Sequence, residues 1–240
     1  MSTITITGGG VPVATITDGT VKSEGVFSDP STDWTITTNG DGTALLQTAV
    51  VPQPTIQIDG DPAHPLQLSN GSTFGLIFGA DSGAELVFTD KTIFVENADN
   101  ANLARLYSAA LDRAPDAQGL SSWETIFTNN IPAAAKVGGV YEALAQTNDG
   151  SGTSIAGGFL QSAEFQAKYG NLDDSHFVTQ LYRNVLNRTP DLTEVNAWLN
   201  LMHNGDPHGI HYTQDMVLVG FAESPENIAK TAHAGWLIQV

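Results

Sequence analysis

Cysteine is absent from the 240-residue chain. No disulfide framework, zinc–thiolate site or thiol nucleophile is available, and folding outside a cell needs no oxidative step. Basic residues are scarce too: nine Lys and Arg stand against 26 Asp and Glu, a formal charge of −17. Nucleic acid and anionic membrane surfaces both recruit a basic footprint, so neither is an expected partner. No apolar run nears the ~20 residues of a membrane-spanning helix, and a membrane-embedded protein is not expected. The opening Ser-Thr-Ile-Thr-Ile-Thr lacks the basic start and apolar stretch of a cleavable export signal. Nucleophile elbows, phosphate-binding glycine loops and dinucleotide fingerprints are also missing, so no catalytic residue is assigned and an enzyme is not expected. Charged residues make up only 15% of the chain, which reads as a folded polar protein rather than a disordered acidic tail.

What the chain does contain is an internal repeat. Leu106-Tyr107-x3-Leu111-x-Arg113-x-Pro115-Asp116-x6-Trp123 returns at a constant offset as Leu181-Tyr182-x3-Leu186-x-Arg188-x-Pro190-Asp191-x6-Trp198. A second signal follows each copy: Phe159-x2-Ser162-x-Glu164, then Phe221-x2-Ser224-x-Glu226. Such duplication implies two half-structures sharing one core. Leu106, Tyr107, Ala110 and Leu111 have the spacing of a helix burying one face. Pro115 cannot continue that helix, and Asp116 stands where an N-cap carboxylate is wanted. Asp191 and Glu194 have capping-box spacing. Trp123 and Trp198 fall two turns into the new helices and are expected in the core. Arg113 and Arg188 are placed to pair with the capping aspartates or with the last helix carbonyls.

These motifs resemble the family known as domain of unknown function 4214, over residues 97–230. The first copy matches in full, including Gly119, Phe165 and Tyr169. The second departs, with Glu194 in place of the glycine and Pro225 inside the serine–glutamate signal. The resemblance implies a helical module of bacterial secreted and surface proteins, one that often follows calcium-binding repeat-in-toxin segments. It carries no catalytic residues. Leu86-Val-Phe88-Thr-Asp90-Lys-Thr92-Ile, followed by Asn97-Ala98, is similar to the segment that joins such repeats to the module, with Lys91 in place of a glycine.

Residues 1–96 read as an antiparallel, β-sandwich-like domain of short strands, and residues 97–240 as an all-α domain built on the two repeats, an α+β chain overall. Thr3-Ile4-Thr5-Ile6-Thr7 alternates strictly. Uncharged and followed by three glycines, it is a candidate assembly strand with Ile4 and Ile6 as buried anchors. Strands are also expected around 13–17, 34–38, 45–48, 55–58, 66–68, 74–78 and 85–88. Asp59 with Asp61, Asn39 with Asp41, and Asp29 with Asp33 are candidate calcium ligands, although Gly and Asp together also make turns. Residues 133–146 and 154–169 each read as one helix, the latter stopped at Gly170. Asp174 or Ser175 caps the next helix, Tyr212 opens another, and Pro225 opens the last. His203, His208 and His211 are weak transition-metal candidates, because their Asn-Gly-Asp-Pro setting reads as a solvated loop.

The expected function is a non-enzymatic, secreted structural protein: a self-assembling surface-layer or filament subunit, homo-oligomeric or polymeric. The alternative is an adhesin or glycan-binding module that takes a cell-surface glycan. Calcium is the one candidate cofactor. Acidity, the lack of cysteine and the family resemblance fit type I secretion, and the apolar Trp236-Leu-Ile-Gln-Val240 is similar to the ends of its substrates.

Overall fold

The computed structural model describes residues 84–239 throughout, and before them Ser31 and the strands lying between residues 3 and 78. The chain divides into two compact units, Met1–Ala101 with Ala234–Val240, and Asn102–His233. The expected boundary at residue 96 therefore moves, and the last residues join the first unit instead of closing the helical one.

The first unit contains β1 (Thr3–Thr7), β2 (Val13–Thr17), β3 (Ser23–Phe27), β4 (Trp34–Thr38), β5 (Thr43–Thr48), β6 (Thr55–Ile58), β7 (Leu66–Gln67), β8 (Thr73–Phe78), β9 (Ala84–Val87), β10 (Thr92–Glu96) and β11 (Leu237–Gln239). They form one sheet of order β1-β2-β8-β5-β4 and another of order β11-β10-β9-β3-β6-β7. Sequence reading missed β3, β10 and β11. The pairing is also mixed rather than antiparallel throughout: β2 with β8, β3 with β9 and β10 with β11 run parallel. Parallel neighbours need a long crossover. Between β10 and β11 that crossover is the entire helical unit.

β1 stands at the edge of its sheet, antiparallel to β2, with Ile4 opposite Ile16 and Ile6 opposite Ala14. For Ile4 and Ile6 the backbone alone is described. Asp29, Asp33, Asp41, Asp59 and Asp61 lie outside the described residues. β10 is better defined. Ile93, Phe94 and Val95 are all buried, the near-continuous apolar run of a strand covered on both faces. On its ladder with β11, Phe94 lies opposite Leu237, and its N–H donates to the Trp236 carbonyl at 2.8 Å.

The second unit is helical. α1 (Ala98–Leu106) is capped by the Asn97 side chain, which accepts from Asn100 N–H at 2.9 Å. It continues into a π-helical turn, Tyr107–Leu111, that ends at Asp112 with φ 51°. Then come α2 (Ala117–Asn130), α3 (Ala133–Gly138), a second π turn (Glu142–Gln146), α4 (Ile155–Gln161), α5 (Ala163–Tyr169), α6 (Asp174–Leu186), α7 (Leu192–Asn204), α8 (Gln214–Ala222) and α9 (Pro225–Ala234).

Two helices expected as single pieces are split. Gly139, at φ 110°, breaks residues 133–146. Ser162 breaks 154–169: its hydroxyl donates to the Phe159 carbonyl at 2.7 Å and accepts from Phe165 N–H at 3.1 Å, ending α4 and capping α5. Asp173, rather than Asp174 or Ser175, caps α6 by accepting from His176 N–H at 2.9 Å. Thr213 caps α8, one residue beyond the expected start at Tyr212. α8 is buried at Met216–Val219, Phe221 and Ala222, so it presents apolar residues on every side, as a central helix does. Among the described residues no helix is long and apolar enough to cross a membrane.

Residues 97–233, expressed as a fragment, are expected to unfold in one cooperative thermal transition with the full far-ultraviolet helical signal. A broad, non-cooperative melt would contradict an independent helical unit.

Candidate functional site

Each copy of the motif builds the same cluster from two separated stretches of chain, 107–123 with 158–164 and 182–198 with 220–226. A left-handed residue ends the first helix, Asp112 at φ 51° in one copy and Asn187 at φ 52° in the other. Asp and Asn tolerate that conformation better than other side-chain-bearing residues. The chain then turns through Arg and Pro and re-enters a helix at the capping aspartate. Asp116 accepts from Gly119 N–H at 2.8 Å. Asp191 accepts from Glu194 N–H at 2.9 Å while the Glu194 carboxylate accepts from Asp191 N–H at 2.9 Å, closing the capping box.

The tryptophans do not go into the core. Trp123 and Trp198 are half-buried, and each lies on the phenylalanine of the second signal. Trp123 stacks on Phe159 with centroids 4.9 Å apart and 18° between planes; Trp198 lies 5.1 Å from Phe221 at 30°. The motif tyrosine closes the other side edge-on: Tyr107 to Phe159 at 4.9 Å, Tyr182 to Phe221 at 5.0 Å. A glycine before each phenylalanine makes room for the indole. A Cβ at Gly158 would meet Trp123 at 2.6 Å, and one at Gly220 would meet Trp198 at 3.1 Å.

Over the outer face of each tyrosine lies the motif arginine, Arg113 at 5.0 Å from the Tyr107 centroid and Arg188 at 4.9 Å from that of Tyr182. The capping aspartates are not their main partners. Arg113 reaches Asp116 only at 3.5 Å, but it donates to both oxygens of Glu164, at 2.7 and 2.6 Å. Arg188 instead donates to both oxygens of Glu194, at 2.7 and 2.5 Å. The exchange has a steric origin. In the first copy a Cβ at Gly119 would fall 2.4 Å from the Tyr107 hydroxyl, so a side chain there would require the tyrosine to shift; in the second copy that matched position is Glu194.

Electrostatics follow the pairing. Hydrogen bonds from Arg113 hold the Glu164 carboxyl below its usual range. Those from Arg188, helped by Asp191 N–H, hold Glu194 down at about 2. Burial, and secondarily the Asp116 carboxylate, pushes the Tyr107 phenol up to about 12.

Two further matched pairs, Lys168 with Lys230 and Gly158 with Gly220, and two buried asparagines have no counterpart in the motif read from the sequence. Lys168 and Lys230 each cap a helix carbonyl: Lys168 donates to Leu111 O at 2.5 Å, and Lys230 donates to Asn184 O while pairing with Asp112 at 2.9 Å. With Gly158 and Gly220 they extend the repeat to Gly-Phe and Ala-Lys flanks, which a longer alignment of the two copies exposes. Asn184, 2% exposed, donates to Ala109 O and Ala110 O at 2.9 and 3.2 Å. Asn227, fully buried, accepts from Ser108 at 2.8 Å and donates to Ala222 O at 2.9 Å. Both asparagines satisfy groups around the first π turn, where backbone pairing is irregular.

The three histidines do not converge. His203 pairs with Asp174 at 2.9 Å, His211 meets Met202 O at 3.3 Å, and the Asp206 carboxylate accepts from the backbone N–H groups of His208 and Ile210. Among the described residues there is no group of three or more His, Asp or Glu placed to hold a metal ion.

Cavities open on this unit, and two of them bear on the site. One, of about 250 Å³, is lined by Gln161, Gln166, Asn171, Gln214, Asp215 and Phe165 among others. Burial raises the Asp215 carboxyl, against a 2.6 Å hydrogen bond from Ser154. The other, of about 230 Å³, opens beside the second cluster and is lined by Tyr182, Arg188, Glu194, Trp198, Phe221 and Glu226, with three more residues.

Residues 156–231 match the family model described as domain of unknown function (DUF4214). The resemblance drawn from the motifs holds over that segment. It takes in the first Phe-x2-Ser-x-Glu signal and the whole second copy. No curated protein and no solved structure matches the chain.

Gly158→Ala is expected to unseat Trp123 and destabilise the chain by about 1–3 kcal/mol, as overpacking does, with red-shifted indole emission. Trp123→Ala should cost less than the ~3–5 kcal/mol of a fully buried aromatic. Wild-type stability in both variants would contradict the stack.

The Glu194 carboxyl sits below its ordinary 4.5 when folded. Its contribution to stability is therefore present above that pH and lost as pH falls from 4.5 through about 2. A carboxyl-carbon NMR titration should show Glu194 with a midpoint near 2; an ordinary glutamate midpoint would remove the Arg188 pair from the account.

Proposed function

We propose that the chain is a non-enzymatic extracellular structural protein, a self-assembling subunit of a surface layer or filament exported by a type I route. The observation that carries this reading is β1. It stands at the edge of its sheet, and from Ser2 to Thr7 it bears no charge and no proline. Soluble proteins commonly blunt such edges with lysine, proline or a bulge, because open backbone N–H and C=O groups recruit another chain. An uncharged Thr–Ile strand at an edge is suited to strand addition, in which backbone bonds give affinity and Ile4 and Ile6 supply the apolar contacts. In this reading the two sheets stack face to face as a sandwich, and calcium held by Asp41, Asp59 and Asp61 stiffens it. The chemistry of the helical motifs is consistent with a structural role, since Arg113 with Glu164, Arg188 with Glu194 and the motif rings are engaged with one another.

The second reading, an adhesin or glycan-binding module, is favoured by one feature: the 250 Å³ cavity with its three glutamines, Asn171, Asp215 and Phe165. Amides and a carboxylate beside a ring can hydrogen-bond and stack on a sugar.

Thr5→Lys places a charge on the edge strand and leaves the β1–β2 register available. The variant is expected to remain folded, with a wild-type circular dichroism spectrum, yet to stay monomeric by light scattering under conditions where the parent forms sheets or fibres. Assembly equal to the parent's would contradict edge-mediated association. Saturable glycan binding by a dispersed parent protein would favour the adhesin reading.

A further inference from the structure

We propose that the second repeat carries a binding site for a guanidinium group, seated between Glu226 and the ring of Trp198 and borne either by a small molecule or by an arginine side chain of a partner. In the first repeat such a site is already filled from within. There the Arg113 guanidinium lies over the Tyr107 ring and is gripped by both oxygens of Glu164.

The acid matched to Glu164 in the second copy is Glu226, two residues after the signal serine in both. The arginine that would reach it, Arg188, is drawn to Glu194 by two short hydrogen bonds. Among the described residues no ion pair or hydrogen bond reaches the Glu226 carboxylate. The space left open is the 230 Å³ cavity, with half-buried Trp198 in its wall.

The composition of that wall selects the ligand. Arg188 and Glu194 neutralise one another, and the low protonation range of Glu194 keeps the pair ionised. The Ser224 hydroxyl is committed, donating to Phe221 O at 2.9 Å and accepting from Asn227 N–H at 3.2 Å. One carboxylate charge remains, so the site favours a cation. A guanidinium suits it better than an ammonium, because its plane can lie on the indole while its fork engages both carboxylate oxygens. The cavity is smaller than the roughly 300–1,000 Å³ of sites for drug-sized ligands, which fits a group of side-chain size.

The test uses the full chain and follows the Trp198 indole N–H by NMR, assigned with Trp198→Phe. Butylguanidine is expected to shift it saturably, and its neutral isostere butylurea to bind at least about tenfold more weakly, the scale of one charge-assisted hydrogen bond. Glu226→Gln should weaken butylguanidine by a similar factor with an unchanged melting temperature. Glu194→Gly restores the first copy's residue, frees Arg188 to take Glu226, and should close the site to ligand. No saturable shift, equal affinity for butylurea, or undiminished binding in either variant would overturn the proposal. A Gly-Arg-Gly amide binding more tightly than butylguanidine assigns the site to a partner's arginine; equal or weaker binding assigns it to a free guanidinium compound.

Discussion

Phe159 sits between two rings, the edge of Tyr107 on one side and the face of Trp123 on the other. Phe221 sits in the same way between Tyr182 and Trp198. These contacts tie the helix ending at the motif arginine, the helix after the motif proline, and the helix carrying the second signal. Each aromatic pair is worth about 0.5–1.5 kcal/mol beyond the area it buries, a large share of a typical net stability. The stack also explains residues that look unrelated in sequence. Gly158 and Gly220 are the clearance for the indoles, and Ser162 and Ser224 end one helix and start another so that the phenylalanine faces inward. The arginine closes the outside of the tyrosine.

The two copies share this arrangement and differ in where the arginine's charge is met. With glycine at 119, the Tyr107 hydroxyl occupies the space and Arg113 crosses to Glu164, fifty-one residues away in the chain. With glutamate at 194, Arg188 is met six residues away and inside its own capping box. One substitution thus turns a pair that bridges two segments into a local one and leaves an open cavity beside Glu226.

Much of the helical unit was legible in the sequence, because the signals were local. Asp112 and Asn187 end helices in the left-handed conformation, Pro115 and Pro190 keep the chain from resuming them, and Asp116 and Asp191 cap the next ones through geometry spanning three residues. What was not legible depended on partners far along the chain. Trp123 and Trp198 have helical spacing that suggests a core position, yet the space beneath them is set by Gly158 and Gly220. Ser162 is compatible with a continuous helix by spacing alone, but its hydroxyl bonds both ways, to the Phe159 carbonyl and from Phe165 N–H. In the β region the strand alternation marked most elements, but parallel pairing could not be read from period alone. β11 joins β10 across the whole helical unit, and no local pattern encodes so distant a partner.

The central claim is that the ring on ring contact, rather than burial of each ring alone, holds the repeat together. A double-mutant cycle on Trp123→Leu and Phe159→Leu, read by denaturant unfolding of the full chain, measures that contact directly. The account predicts a coupling energy of about 0.5–1.5 kcal/mol. Additive effects, with no coupling beyond experimental error, would contradict it.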